Sequence, residues 1–174
     1  MTENRNKKIV LINILIVLLE IAGLYFAWKA CGITMFKYYT QDSNIILMIT
    51  CIINIVFLLK GKEIPKWLKT FKYVATCLVT VTFMVVIFVL IPLALPGEFM
   101  HYLTGESEIF HHVLCPILAM ITYIFIEKQE APSKKEVTVA VIPTFTYAII
   151  TIILNVLGVL RGPYSFLMVE NWTP

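Results

Sequence analysis

Two stretches of the 174-residue chain bring together side chains able to do chemistry: "KYYTQDSNIILMI" at 37–49 and "IFHHVLCPI" at 109–117. Thr40 in the first carries a hydroxyl, a poor nucleophile until a base within about 3 Å takes its proton. His111 and His112 in the second carry imidazoles, the usual general bases near neutral pH. Thr40 with either histidine is therefore a candidate nucleophile–base pair for acyl transfer. Asn44, one helical turn after Thr40, shares its face and can steady an oxyanion, as can a free backbone N–H. Glu20 can orient an imidazole, and Asn155 adds a further polar group at similar depth.

Each of these residues also has a plainer use. Asp42 or Ser43 suits the N-cap of a helix starting there, because its side chain can accept from the free N–H groups of the first turn. Asn44 and Asn155 suit interhelical hydrogen bonds, worth about 1 kcal/mol or less each in membranes. A single histidine at a helix mouth can bond a headgroup or a loop carbonyl. Two in succession point about 100° apart, so at least one should face the interior. Pro116 cannot donate a hydrogen bond to the carbonyl of His112, which predicts a kink or a free acceptor.

The elements that must position these residues are apolar throughout. The chain is 59% hydrophobic and 14% charged, with a mean hydropathy of +0.85, outside the range of ordinary soluble domains. Five runs approach the roughly 20 apolar residues that a membrane-crossing helix needs: 9–28, 43–59, 70–92, 109–126 and 137–160. They are continuous rather than alternating, which favours helices over a barrel. The first run exceeds the usual signal-peptide core of 7–15 residues and has no small-residue cleavage pattern after it, so it reads as retained. The expectation is an all-α integral membrane protein, one domain over 1–174, with membrane lipids as its surroundings.

Orientation follows from the basic residues, which cytoplasmic loops retain. Eleven fall on one side, in the N-terminus (Arg5, Lys7, Lys8), the second connection (Lys60, Lys62, Lys66, Lys69, Lys72) and the fourth (Lys128, Lys134, Lys135), against Lys29, Lys37 and Arg161 on the other. The N-terminus is thus expected in the cytoplasm, and the Thr40 and histidine layer near the outer face of the plasma membrane. The lysine-rich connection with Trp67 reads as a loop facing anionic headgroups and not as a nucleic-acid patch. Cys31, Cys51, Cys77 and Cys115 show no metal-ligand spacing, and the three inside the expected spans, Cys51, Cys77 and Cys115, read as small apolar residues. No metal or other cofactor is called for.

"YYTQDSN" ahead of one span, "HHVLCP" opening a later one and "GPYSFL" at 162–167 resemble, in that order, the Pr6Pr-like bacterial membrane proteins. These belong with the androgen-induced and androgen-dependent hydrolases of fatty acid esters of hydroxy fatty acids. The resemblance runs from about Phe36 to Leu167. It implies six helices, the last of them beyond this chain, and an intramembrane threonine nucleophile with a histidine partner. By position the threonine is Thr40; His112 fits His-x-x-x-Pro, and His111 the longer form of that spacing. An uncovered groove is expected where the sixth helix would pack, with Trp172 at an interface.

The leading expectation is a hydrolase of lipid-like esters, with Thr40 as nucleophile, His112 or His111 as base, and Glu20, Asn44 and Asn155 binding or orienting. The opposing one is a non-enzymatic lipid-binding or scaffold subunit. A small-solute carrier ranks third, since no internal repeat is visible and Glu20 stands alone among acidic groups in the spans.

Overall fold

The computed structural model describes residues 2–95, 97 and 99–168. Its described residues form helices and connecting turns, and five helices are long and apolar enough to cross a membrane, as a multi-pass membrane protein requires. Helix α1 (Thr2–Cys31) runs into a 3-10 turn, Gly32–Lys37. Helix α2 covers Tyr39–Leu59, and α3 covers Lys66–Val85 with an extension to Leu93. A short α4 (Phe99–Thr104) precedes α5 (Ile109–Glu127), and α6 covers Lys134–Val156.

The polar flanks decide where these helices begin and end. Helix α2 starts at Tyr39, four residues before the expected boundary. Its N-cap is Tyr38, in extended backbone and with no side-chain cap, so neither Asp42 nor Ser43 caps it. The Ser43 hydroxyl instead bonds the Thr40 carbonyl and the Thr82 hydroxyl, each at 3.0 Å. Helix α3 follows extended Pro65, whose fixed φ suits a helix entrance. Helix α6 opens on a capping box, in which the Ser133 side chain accepts from the Glu136 N–H while the Glu136 carboxylate accepts from that of Ser133. It closes before Gly158, whose φ of +68° an L side chain rarely adopts.

Two helices carry a wide π turn directly ahead of a proline: Val86–Leu90 before Pro92, and Ile109–Leu114 before Pro116. The Cys115 N–H reaches the Phe110 carbonyl, five residues back. The ladder is thereby re-registered where Pro116 could not donate. The histidine pair sits within this widened turn.

Helices α1, α2, α3 and α5 form a closed ring, α1 packing on α2 and α5, and α3 on α2 and α5. Its buried centre takes Ile16 from α1, Leu47 and Cys51 from α2, Ala75 and Val79 from α3, and Cys115 and Ala119 from α5. The small side chains among these let the helices approach closely. Helix α6 packs chiefly on α3. It leaves Val137, Val141, Phe145, Ile149 and Ile153 exposed, a row at four-residue spacing that lipid or a further helix would cover. The expected position of Trp172 lies outside the described residues.

Candidate active site

Thr40 lies in the first turn of α2 with its side chain buried. It lines a cavity of about 90 Å³ together with Thr82, Val86, Tyr147, Tyr164 and Phe166. The hydroxyl has a phenol for a neighbour: the Tyr164 oxygen stands 3.5 Å from Thr40 Oγ1, at the outer limit of a hydrogen bond. Tyr164 arrives from the segment after α6, and Asn155 controls that segment. The Asn155 amide donates to the Gly162 carbonyl at 2.8 Å, and its oxygen accepts from the Gly162 N–H at 3.0 Å. Asn155 thus orients the Tyr164 loop and makes no contact with Thr40. Burial pushes the Tyr164 phenol above its ordinary pKa, which keeps it protonated and able to donate.

Asn44 joins the two halves of the expected pair. Its amide nitrogen donates to the Thr40 carbonyl at 2.7 Å and to the His111 carbonyl at 3.2 Å. Both amide hydrogens are spent on these backbone groups, and the side-chain neighbour of the Thr40 hydroxyl is the Tyr164 hydroxyl.

The two imidazoles part company. His111 is buried and faces α1, where its Nε2 lies 3.2 Å from a carboxylate oxygen of buried Glu20. The two atoms stand at ion-pair distance without hydrogen-bond alignment, and His111 Nδ1 has no hydrogen-bond partner among the described residues. Glu20 is therefore not isolated in the bundle. Gly23 makes this contact possible: a Cβ at that position would lie 2.3 Å from His111 Nε2. The stacked pair Phe26 and Phe110, with centroids 6.0 Å apart, links the same two helices. His112 turns the other way, its Nδ1 2.8 Å from the Tyr102 carbonyl. A carbonyl only accepts, so Nδ1 carries the proton there.

The structure thus assembles Thr40, Asn44, His111 and Glu20 in one connected group, with Asn155 acting at one remove and His112 outside it. Neither ring makes a hydrogen bond to the Thr40 hydroxyl. Tyr164 and Gly23 were not among the residues singled out from the sequence. Tyr164 lies in "GPYSFL", where no spacing to another polar residue singles it out.

A second polar group, also missed, fills the other end of the bundle. Lys72 reads from sequence as part of a lysine-rich loop facing headgroups. It is instead 1% exposed, inside α3. Its ammonium donates to Asn13 Oδ1 at 2.7 Å and to the Cys51 sulfur at 3.2 Å, and it lies 3.7 Å from Glu127. Lys72 faces the bundle because the helix has already begun at Lys66, and Glu127 supplies the compensating charge. Cys51 is accordingly more than a small apolar filler.

No family profile, curated protein or solved structure matches the chain.

Proposed function

We propose that the protein is a multi-pass protein of the plasma membrane, with a cytoplasmic N-terminus, that hydrolyses lipid-like esters near the outer leaflet. The observation carrying this reading is the Asn44 amide, which holds the Thr40 and His111 backbones side by side below an apolar cavity. Glu20 stands 3.2 Å from His111 Nε2, and neither imidazole nitrogen has a hydrogen-bond partner among the described residues, which leaves the ring able to take up a proton as a general base does. The reaction requires an imidazole nitrogen of His111 to reach Thr40 Oγ1, directly or through one water.

In this mechanism the Thr40 oxygen attacks the ester carbonyl carbon as its proton passes to His111. The Tyr164 hydroxyl donates to the oxyanion. The alkoxide leaves with the proton from the imidazolium, and water, deprotonated by the same imidazole, frees the acid from Thr40. An acyl chain would lie among Val86, Leu90, Phe166 and Leu167, which line the cavity. Purified protein should cleave a fluorogenic long-chain ester, and Thr40→Val should abolish the cleavage while remaining folded. Undiminished turnover by that variant would sink the reading.

One observation favours the second reading, a lipid-binding subunit without catalysis: the Thr40 hydroxyl is within reach of Tyr164 and of neither imidazole. It predicts saturable retention of a long-chain ester with no hydrolysis by the wild-type protein.

A further inference from the structure

The ester chemistry makes no use of a second and larger cavity at the lysine-rich end of the bundle. Its volume is about 320 Å³, at the lower end of the roughly 300–1,000 Å³ of small-molecule sites. Lys66, Lys69 and Tyr73 line it from α3 and Tyr123 lines it from α5. The two tyrosine rings pack on each other with centroids 5.9 Å apart, joining those walls. Glu130, from the connection into α6, and Glu136, from the first turn of α6, complete the charged lining. Two ammoniums thus meet two carboxylates, and the lining is neutral in sum.

The four charges differ in what they already do. Glu136 serves the fold: its carboxylate accepts from the Ser133 N–H at 2.8 Å, the Ser133 hydroxyl at 2.7 Å and the Thr70 hydroxyl at 2.8 Å. Lys66, Lys69 and Glu130 make no ion pair among the described residues. The two lysines stand three residues apart in α3 and so share a face, where one phosphate can bond both ammoniums. A lysine patch alone would attract any anionic headgroup. Glu130, in the same cavity, favours a ligand that brings its own cation. Exposed apolar residues flank the lining on each helix: Phe71 between Lys69 and Tyr73, Ile124 and Phe125 after Tyr123, and Val137 after Glu136. Hydrocarbon chains would use these faces, and a free polar solute would not.

We infer that this cavity is a headgroup site for a zwitterionic phospholipid with a primary ammonium, of the phosphatidylethanolamine type. Lys66 and Lys69 bind the phosphate, and Glu130 accepts hydrogen bonds from the ammonium. The tyrosine rings offer their faces to the same cation. Choline has no N–H to donate to Glu130. A phosphoglycerol headgroup brings no cation and leaves Glu130 beside a second anion. Both should bind less well than ethanolamine. The site requires the bundle to cross a membrane and does not require hydrolysis at Thr40.

The test gives the full-length protein, in detergent, equal amounts of phosphatidylethanolamine, phosphatidylcholine and phosphatidylglycerol with identical chains, and native mass spectrometry reads which lipid is retained. Wild-type protein should keep one ethanolamine lipid about two- to fivefold over each of the others, the range that one exposed charge pair supplies. Lys66→Gln with Lys69→Gln should lower that retention by about the same factor or more. Glu130→Gln should still hold phospholipid but lose the preference for ethanolamine over choline. All three side chains are exposed, so the variants should unfold at the wild-type temperature. Soluble phosphoethanolamine at the lipid concentration separates a free solute from a lipid headgroup, and it should leave the lipid bound. Displacement by that solute, equal retention of the three lipids by wild-type protein, undiminished retention in the lysine variant, or an unaltered preference in Glu130→Gln would overturn the inference.

Discussion

Replacing Gly23 by alanine places a methyl group where the imidazole of His111 now lies. The added Cβ would stand 2.3 Å from Nε2, 2.6 Å from Cδ2 and 2.8 Å from Cε1, all closer than carbon and nitrogen tolerate. On an exposed helical site the same change would stabilise by about 0.8–1.0 kcal/mol through helix propensity. Here overpacking costs about 1–3 kcal/mol, so the net effect is a loss of up to roughly 2 kcal/mol from sterics. Thermal unfolding in detergent reads the sum, and a double-mutant cycle separates its parts. On a His111→Ala background the obstruction is gone, and Gly23→Ala should be neutral or stabilising by up to about 1 kcal/mol. A higher melting temperature for Gly23→Ala alone would refute the packing of His111 against α1 and, with it, the Glu20–His111 pairing.

Tyr164→Phe removes the hydroxyl that neighbours Thr40 Oγ1 and should lower kcat for ester cleavage by about 10²–10³-fold with little change in KM, as loss of an oxyanion donor does. Asn155→Ala breaks both bonds to Gly162 and should lower kcat through displacement of Tyr164; combined with Tyr164→Phe it should slow the reaction scarcely further, which steady-state kinetics on the single and double variants will show. His111→Ala should abolish turnover while His112→Ala retains most of it, and equal loss in both would return the base assignment to an open choice. A cysteine placed at Glu106 should react with an impermeant maleimide from outside intact cells, whereas exclusively cytoplasmic labelling would invert the proposed orientation.

The five long helices were legible because their apolar runs are continuous and because lysines punctuate them. Their ends were less so. Thr40 and Gln41 stand ahead of the apolar run expected at 43–59, yet both are buried in the first turn of α2, since a polar run facing a polar interior continues a helix as well as an apolar one does. Of the expected site, Thr40, Asn44, His111 and Glu20 come together because their helices form the closed ring. The choice between the histidines could not be read, because it depends on Gly23, which only packing reveals as the space for one ring. Lys72 was misassigned because its sequence neighbours Lys66 and Lys69 are loop-end charges, while its partners Asn13, Cys51 and Glu127 lie on three other helices.

Covalent capture of the nucleophile tests the central claim most directly. The purified protein is incubated with a long-chain alkyl fluorophosphonate, which phosphonylates an activated hydroxyl, and the adduct is located by peptide mass spectrometry. The account predicts a single adduct on Thr40, lost in Thr40→Val and strongly slowed in His111→Ala. An adduct on another residue, or none under conditions in which the ester is cleaved, would contradict it.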